Sequence, residues 1–364
     1  TQQQGMDLLT STWMTRSLGE AVASVALEED HSVLVGGWNG TLKRWDEKGD
    51  LLWSTQLNDR INDLAVSNEC VIATAGLHLV CIEKNTGEVR WSHALEGSAD
   101  STVIHNKVVH AVSSVYDIEH NDFIESAVWA FELNGDEKWV TRMDERPWTM
   151  LTHDASLWIG LGRPKCGFAT VGEDGSLTHI EGPVDSPITC GSAGKTNLFF
   201  GHADGTVSDH TSNIFLTRPC GIESLASLDD GIVVADENGD ACAFDAKGGQ
   251  RWRLKGVPIE THCVGFESNG VKTHWIARWS GSAGSLEAVN AESGDILATS
   301  PQMHVRFMHS NEQRLIVGCE NGDVHVWERG VFDRRLANNS QEDEGPKDAR
   351  KSALQDKLRK LRER

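Results

Sequence analysis

AFDAKGGQRW, residues 243–252, is a strand end, a tight turn and the start of a second strand. Phe244 and Asp245 close one strand, Lys247, Gly248 and Gly249 supply the turn, and Arg251 and Trp252 open the next. The phrase returns as AFELNGDEKW (130–139), RWDEKGDLLW (44–53) and CIEKNTGEVRW (81–91). In each copy a Trp stands four residues after a turn glycine: Trp252 after Gly248, Trp139 after Gly135, Trp53 after Gly49 and Trp91 after Gly87. Weaker copies keep the beat but put His179, Ala298 and Arg334 at the Trp place.

A four-stranded sheet cannot bury both faces alone, so it stacks on copies of itself, and a period near forty residues points to a ring of sheets. Reading outward gives eight units, about 19–57, 58–95, 96–143, 144–182, 183–219, 220–256, 257–302 and 303–337. The expected fold is all-β, an eight-bladed β-propeller over residues 19–337, with a seven-bladed ring as the alternative. The Trp phrase resembles the PQQ-like, quinoprotein-type propeller repeat, in which the Trp docks one blade on the next. GTLKRWD (40–46) and GDVHVWE (322–328) are more similar to WD40 repeats. The resemblance implies blade-docking roles for Trp53, Trp91, Trp139 and Trp252. It specifies a fold and no activity, because propellers host unrelated functions.

Residues 8–18, LLTSTWMTRSL, are β-prone and carry a spare Trp13, followed by MTRSL much as Trp53 is followed by STQL. Residues 1–18 are therefore expected to give the last blade a closing strand beside 322–328, with Trp13 as its docking residue. The competing arrangement uses 331–337 as that strand. Residues 338–346 read as a polar linker. Residues 347–364 read as a short, basic, amphipathic helix, with Leu354, Leu358 and Leu361 on one face as a candidate contact.

The chain has 364 residues, 34 Lys plus Arg and 54 Asp plus Glu, a net charge of −20. Residues 347–364 hold eight basic and three acidic groups, so the tail is +5 and the remainder −25. Such a body repels phosphate backbones, which argues against nucleic-acid binding by the ring and leaves it open for the tail. No apolar run is long enough to span a membrane. The eight cysteines include no adjacent pair and no C-x-x-C. This favours a reducing, cytoplasmic compartment over a zinc or redox motif, with export if a signal peptide has been removed.

No catalytic motif emerges. The quinone enzymes that the repeat brings to mind use a vicinal cysteine pair, which is missing here, so no cofactor is expected. The insertion YDIEHNDFIES, 116–126, clusters acidic residues without the spacing of a calcium loop; it reads as a solvated hairpin extension and no metal is expected. The connections into the innermost strands place Arg60, Asp63, Asp100, Arg146, Trp148, Asp185, Glu260, His262, His304 and Arg306 at the rim of the central channel. Mixed charge around an exposed aromatic suits a protein-binding mouth. The reading is a non-enzymatic scaffold for protein–protein interactions through this rim and the tail. The alternatives are an enzyme or small-ligand binder using the channel, and an exported envelope assembly factor of the PQQ-like propeller type.

Overall fold

The computed structural model describes residues 5–344. They form eight sheets, each with an antiparallel core of four consecutive short strands or, in the last, three strands and one borrowed from the N-terminus; the seventh carries a fifth, parallel strand. Blade 1 comprises Val22–Leu27, Val33–Gly37, Thr41–Trp45 and Leu51–Gln56, and the same order repeats around the ring. Each innermost strand touches the next, and that of blade 8, Val305–Ser310, touches that of blade 1, so the ring is closed. The protein is an eight-bladed β-propeller.

The apolar cores lie between blades. One joins Leu34, Leu42 and Trp53 of blade 1 to Ile61, Val71, Val80 and Ile82 of blade 2. The recurring Trp completes such seams. Trp53 Nε1 donates to Lys84 O of the next blade at 2.8 Å, Trp91 Nε1 to Leu133 O at 2.9 Å, Trp139 Nε1 to Glu173 O at 2.8 Å and Trp252 Nε1 to Ala291 O at 2.9 Å. The turn glycine of the following blade is what lets the ring lie flat: a Cβ on Gly87, already at φ +78°, would stand 2.6 Å from the Trp53 ring. Replacing Trp252, which is buried with its N–H bonded, by Ala is expected to cost about 3–5 kcal/mol, read from urea denaturation midpoints.

The N-terminus serves two blades, a departure from the single strand expected over 8–18. Met6–Asp7 runs parallel to Ile296–Pro301 on the outer edge of blade 7. A 3-10 turn, Leu8–Ser11, crosses the seam, and Met14–Ser17 pairs antiparallel with Asp323–Glu328 as the outer strand of blade 8. The register divides the docking role between two residues. Met14 pairs with Val326, the residue before Trp327, as Trp53 pairs with Arg44, the residue before Trp45. Met14 holds the register position and is buried over Gly49, while Trp13, one residue earlier and 42% exposed, makes the docking hydrogen bond, its Nε1 donating to Glu47 O of the blade 1 turn at 3.3 Å as Trp139 donates to Glu173 O. The one-residue offset leaves the Trp13 ring more exposed than the Trp of the other blades, and the similarity of flanking sequences could not resolve it.

The C-terminal helix, Arg329–Glu344, corrects two further expectations: Arg334 is helical and not at a Trp place on a strand, and residues 338–344 continue the helix where a linker was expected. The Glu328 carboxylate caps it, accepting from the Gly330 and Val331 amides at 2.9 Å each. Phe332 is fully buried against Phe266 and Trp275, and Ser268 Oγ donates to Asp333 at 2.5 Å. Packing at this first turn decides a helix whose Asn and Ser content gives weak propensity. The predicted tail helix with Leu354, Leu358 and Leu361 lies outside the described residues.

Candidate functional site

Each innermost strand has a buried small or apolar residue at or next to its start and then breaks register by one. The buried residues are Val22, Ile61, Ala99, Pro147, Ile188, Ile222, Ile259 and Val305. The residue that follows each is left out of the ladder: Ala23, Asn62, Asp100, Trp148, Thr189, Glu223, Glu260 and Arg306. Bulges of this kind re-aim side chains, and eight at one height make a ring of re-aimed residues at the channel mouth.

Three of them, Trp148, Thr189 and Glu223, line one cavity of about 480 Å³ together with Asp122, Phe123, Arg146, Arg163, Ile188, Ile222 and Glu237. Its overhanging wall is the blade 3 insertion. Strands Val108–Asp117 and Asp122–Glu132 run past their neighbours, whose pairing ends at Ser114 and Ser126, so residues 115–125 project as a two-stranded ribbon. An isolated ribbon is marginal, and here aromatic contacts brace it. The Arg146 guanidinium lies 3.8 Å from the Phe123 ring centre and 4.1 Å from that of Trp148; Phe123 meets Trp148 edge-on at 5.8 Å. Asp100 holds Arg146 from behind at 3.5 Å. Burial lowers the Arg146 pKa and Asp100 opposes the shift, so the guanidinium stays a cation. Trp148 is 47% exposed, its Nε1 passing where a Cβ on Gly162 would sit at 2.7 Å. Tyr116, Ile118 and Ile124 of the ribbon are also exposed.

The rim candidates thus divide. Asp100, Arg146 and Trp148 come together as this cavity wall. Glu260, His304 and Arg306 form a second cluster: His304 stacks on Trp279 at 3.8 Å and reaches Glu260 at 3.3 Å, and Arg306 lies 3.7 Å from Glu260 and 3.6 Å from Glu320. Arg60 lies 4.4 Å over the Trp38 ring. Asp63 is set into the channel wall, where its carboxylate accepts from Thr102 N of blade 3 at 3.0 Å and from Leu64 N at 2.9 Å, and desolvation still pushes its pKa up to about 6. Asp185 is exposed and apart from these groups. His262 is a correction: it is buried inside blade 7, its Nδ1 2.9 Å from His274 Nε2, and desolvation lowers it to about 4. The strand pleat turns it inward, while Glu260 at the bulge faces the mouth. Phe123, Glu223 and Glu237 were missed from the sequence. The residue after the first apolar position of each repeat would have pointed to Glu223; nothing local marks the other two.

Among the described residues no group of three or more His, Cys, Asp and Glu side chains is placed to hold a metal ion, and no helix is long and apolar enough to cross a membrane. The arrangement can bind: it offers aromatic faces, carboxylates and an enclosed volume at an exposed mouth.

The comparisons agree with the fold. The family model of outer membrane protein assembly factor BamB matches residues 39–180. No curated protein matches the chain. Among solved structures, BamB from Moraxella catarrhalis superposes with a TM-score of 0.70 at 15% identity, over 87% of this chain and 97% of that one. Sqt1 from Saccharomyces cerevisiae gives 0.69 at 9% identity, over 88% and 99%, and the computationally designed Ika8 protein 0.68 at 16%, over 90% and 100%. The chain has the β-propeller fold of these structures, and residues 39–180 match a model of the PQQ-like repeat.

Proposed function

We propose that the protein is a non-catalytic scaffold that binds a protein partner at the channel mouth beneath the blade 3 ribbon, with the basic C-terminal segment as a second contact. The observation that carries this is Trp148, which the strand bulge releases from its ladder and leaves half exposed on a cavity wall, braced by Arg146 and Phe123. Trp and Arg anchors in a partly enclosed site are the side chains on which binding energy concentrates. The exposed Tyr116, Ile118 and Ile124 extend an apolar surface beside it. The eight unpaired cysteines, five of them buried, support a cytoplasmic location. A second reading, an envelope assembly factor, draws on the match of residues 39–180 to the BamB family model, and cell fractionation separates the two.

The test is affinity purification with the parent chain, with Trp148→Ala and with a chain ending at residue 344. A protein recovered by the parent is expected to bind Trp148→Ala about thirtyfold more weakly, the effect of losing a hot spot of about 2 kcal/mol. Truncation is expected to weaken it further. Equal recovery by all three forms removes the proposal.

A further inference from the structure

Resting on that scaffold role, we infer that the cleft receives an extended basic segment of the partner protein, with an Arg or Lys side chain entering the cavity beside Trp148. Its lining comes from four consecutive blades: Asp122 and Phe123 from blade 3, Trp148 from blade 4, Thr189 from blade 5, Glu223 and Glu237 from blade 6. A lining drawn from four blades along the mouth suits an extended chain.

The charge of the occupant follows from which groups are already engaged. Arg146 stands between the Phe123 and Trp148 rings, about 4 Å from its guanidinium carbon, and its charge is balanced by Asp100 at 3.5 Å, so the pair adds no net charge to the wall. Arg163 is the one other cation of the wall. Against it stand the carboxylates of Asp122, Glu223 and Glu237, none of which makes an ion pair among the described residues. The cavity is thus negative within a body that is itself −25 when the +5 of residues 347–364 is set aside from the total of −20. A guanidinium or ammonium group entering here meets carboxylates that give charge-assisted hydrogen bonds and an indole that favours cations. A partner carboxylate would meet three like charges.

The experiment titrates the full chain into a fluorescein-labelled peptide of alternating Arg and Gly, and into the matching peptide of alternating Glu and Gly, at moderate salt, with anisotropy as the readout. Glu223→Gln/Glu237→Gln is compared with Glu69→Gln/Glu312→Gln, which removes the same charge from turns between first and second strands, at the far end of the blades from the mouth. Thermal melts confirm that both variants are folded. The Arg peptide is expected to bind and the Glu peptide not to. The cleft pair is expected to weaken binding about tenfold or more, and the remote pair by less than about twofold. Equal weakening by both pairs would show attraction to the overall charge and overturn the inference, as would preference for the Glu peptide or binding of neither. If a recovered partner depends on Trp148 but is indifferent to Glu223→Gln/Glu237→Gln, the scaffold role stands and the basic occupant falls.

Discussion

A chain lacking residues 1–18 is expected to lose the closed ring. The deleted segment supplies the outer strand of blade 8 and a fifth strand to blade 7, so its removal strips the ladder from Met14↔Val326 to Ser17↔Asp323 and reopens that edge. It also withdraws Met6, Leu8, Met14 and Leu18, all buried, from the seams between blades 7, 8 and 1. At roughly 1.5–3 kcal/mol for each such side chain the loss is about 6–12 kcal/mol, comparable to the whole stability of an ordinary domain. Trp327, fully buried, loses the Leu8 carbonyl to which its Nε1 donates at 2.9 Å, leaving an unpaired donor in the core. Circular dichroism melts and size-exclusion elution of the truncated chain provide the check; a sharp transition near that of the parent would show that blade 8 closes without its borrowed strand. Point variants rank the contributions. Leu8→Ala is expected to cost about 2–5 kcal/mol, whereas Trp13→Ala, half exposed, is expected to cost about 1 kcal/mol or less.

That ranking inverts the one the sequence suggests, and the reason is physical. Tryptophan is the conspicuous residue of the N-terminal segment, and its neighbours copy those of Trp53 and Trp139. A period of two residues in a strand makes the docking face depend on register, which only the pairing of Met14 with Val326 reveals. The repeat itself was legible because turn chemistry and bulky aromatics recur at fixed offsets, which is local information. Leu8 gives no such signal: it is buried because a 3-10 turn carries the chain across a seam between blades. The helix at Arg329–Glu344 was hidden for the opposite reason, since its composition is polar and its anchoring depends on one Phe332 entering a cavity between Phe266 and Trp275.

The candidate site was half visible. Asp100, Arg146 and Trp148 could be placed at the mouth because the connection into each innermost strand must cross it. Phe123 lies in what reads as an acidic insertion, and its role depends on the ribbon reaching over the neighbouring blade 4, a contact the pattern within one repeat does not show. The same connection rule places His262 at the mouth, yet two residues past a bulge the pleat already turns its side chain into the blade.

Between pH 6.5 and 4 the protein is expected to lose stability through its buried histidines. In the unfolded chain each binds a proton near pH 6.5, while desolvation lowers His262 and His110 to about 4 in the folded protein and moves His274 in the same direction. Above pH 6.5 neither state is protonated and the groups contribute no pH dependence. As pH falls toward 4 the unfolded state gains protons that the folded state refuses, so stability drops by about 3 kcal/mol for His262 and about the same for His110. Asp63 works against this. Its folded pKa is raised from 3.8 to about 6, so its buried carboxylate costs stability above pH 6, and protonation in the folded state returns about 3 kcal/mol as pH falls to 3.8. For these groups the sum is a net loss of about 3 kcal/mol before His274 is counted. Urea unfolding across this range, at fixed ionic strength, measures it. Replacing both members of the His262–His274 pair by Leu removes both buried imidazoles together, and is expected to flatten the acid limb by about 3 kcal/mol or more. Asp63→Asn is expected to steepen the limb, because it deletes a group that opposes the histidines. Stability that holds level from pH 6.5 to 4.5 in Asp63→Asn would mean that the histidines take up protons in the folded state, and that the interior of blade 7 is open to water.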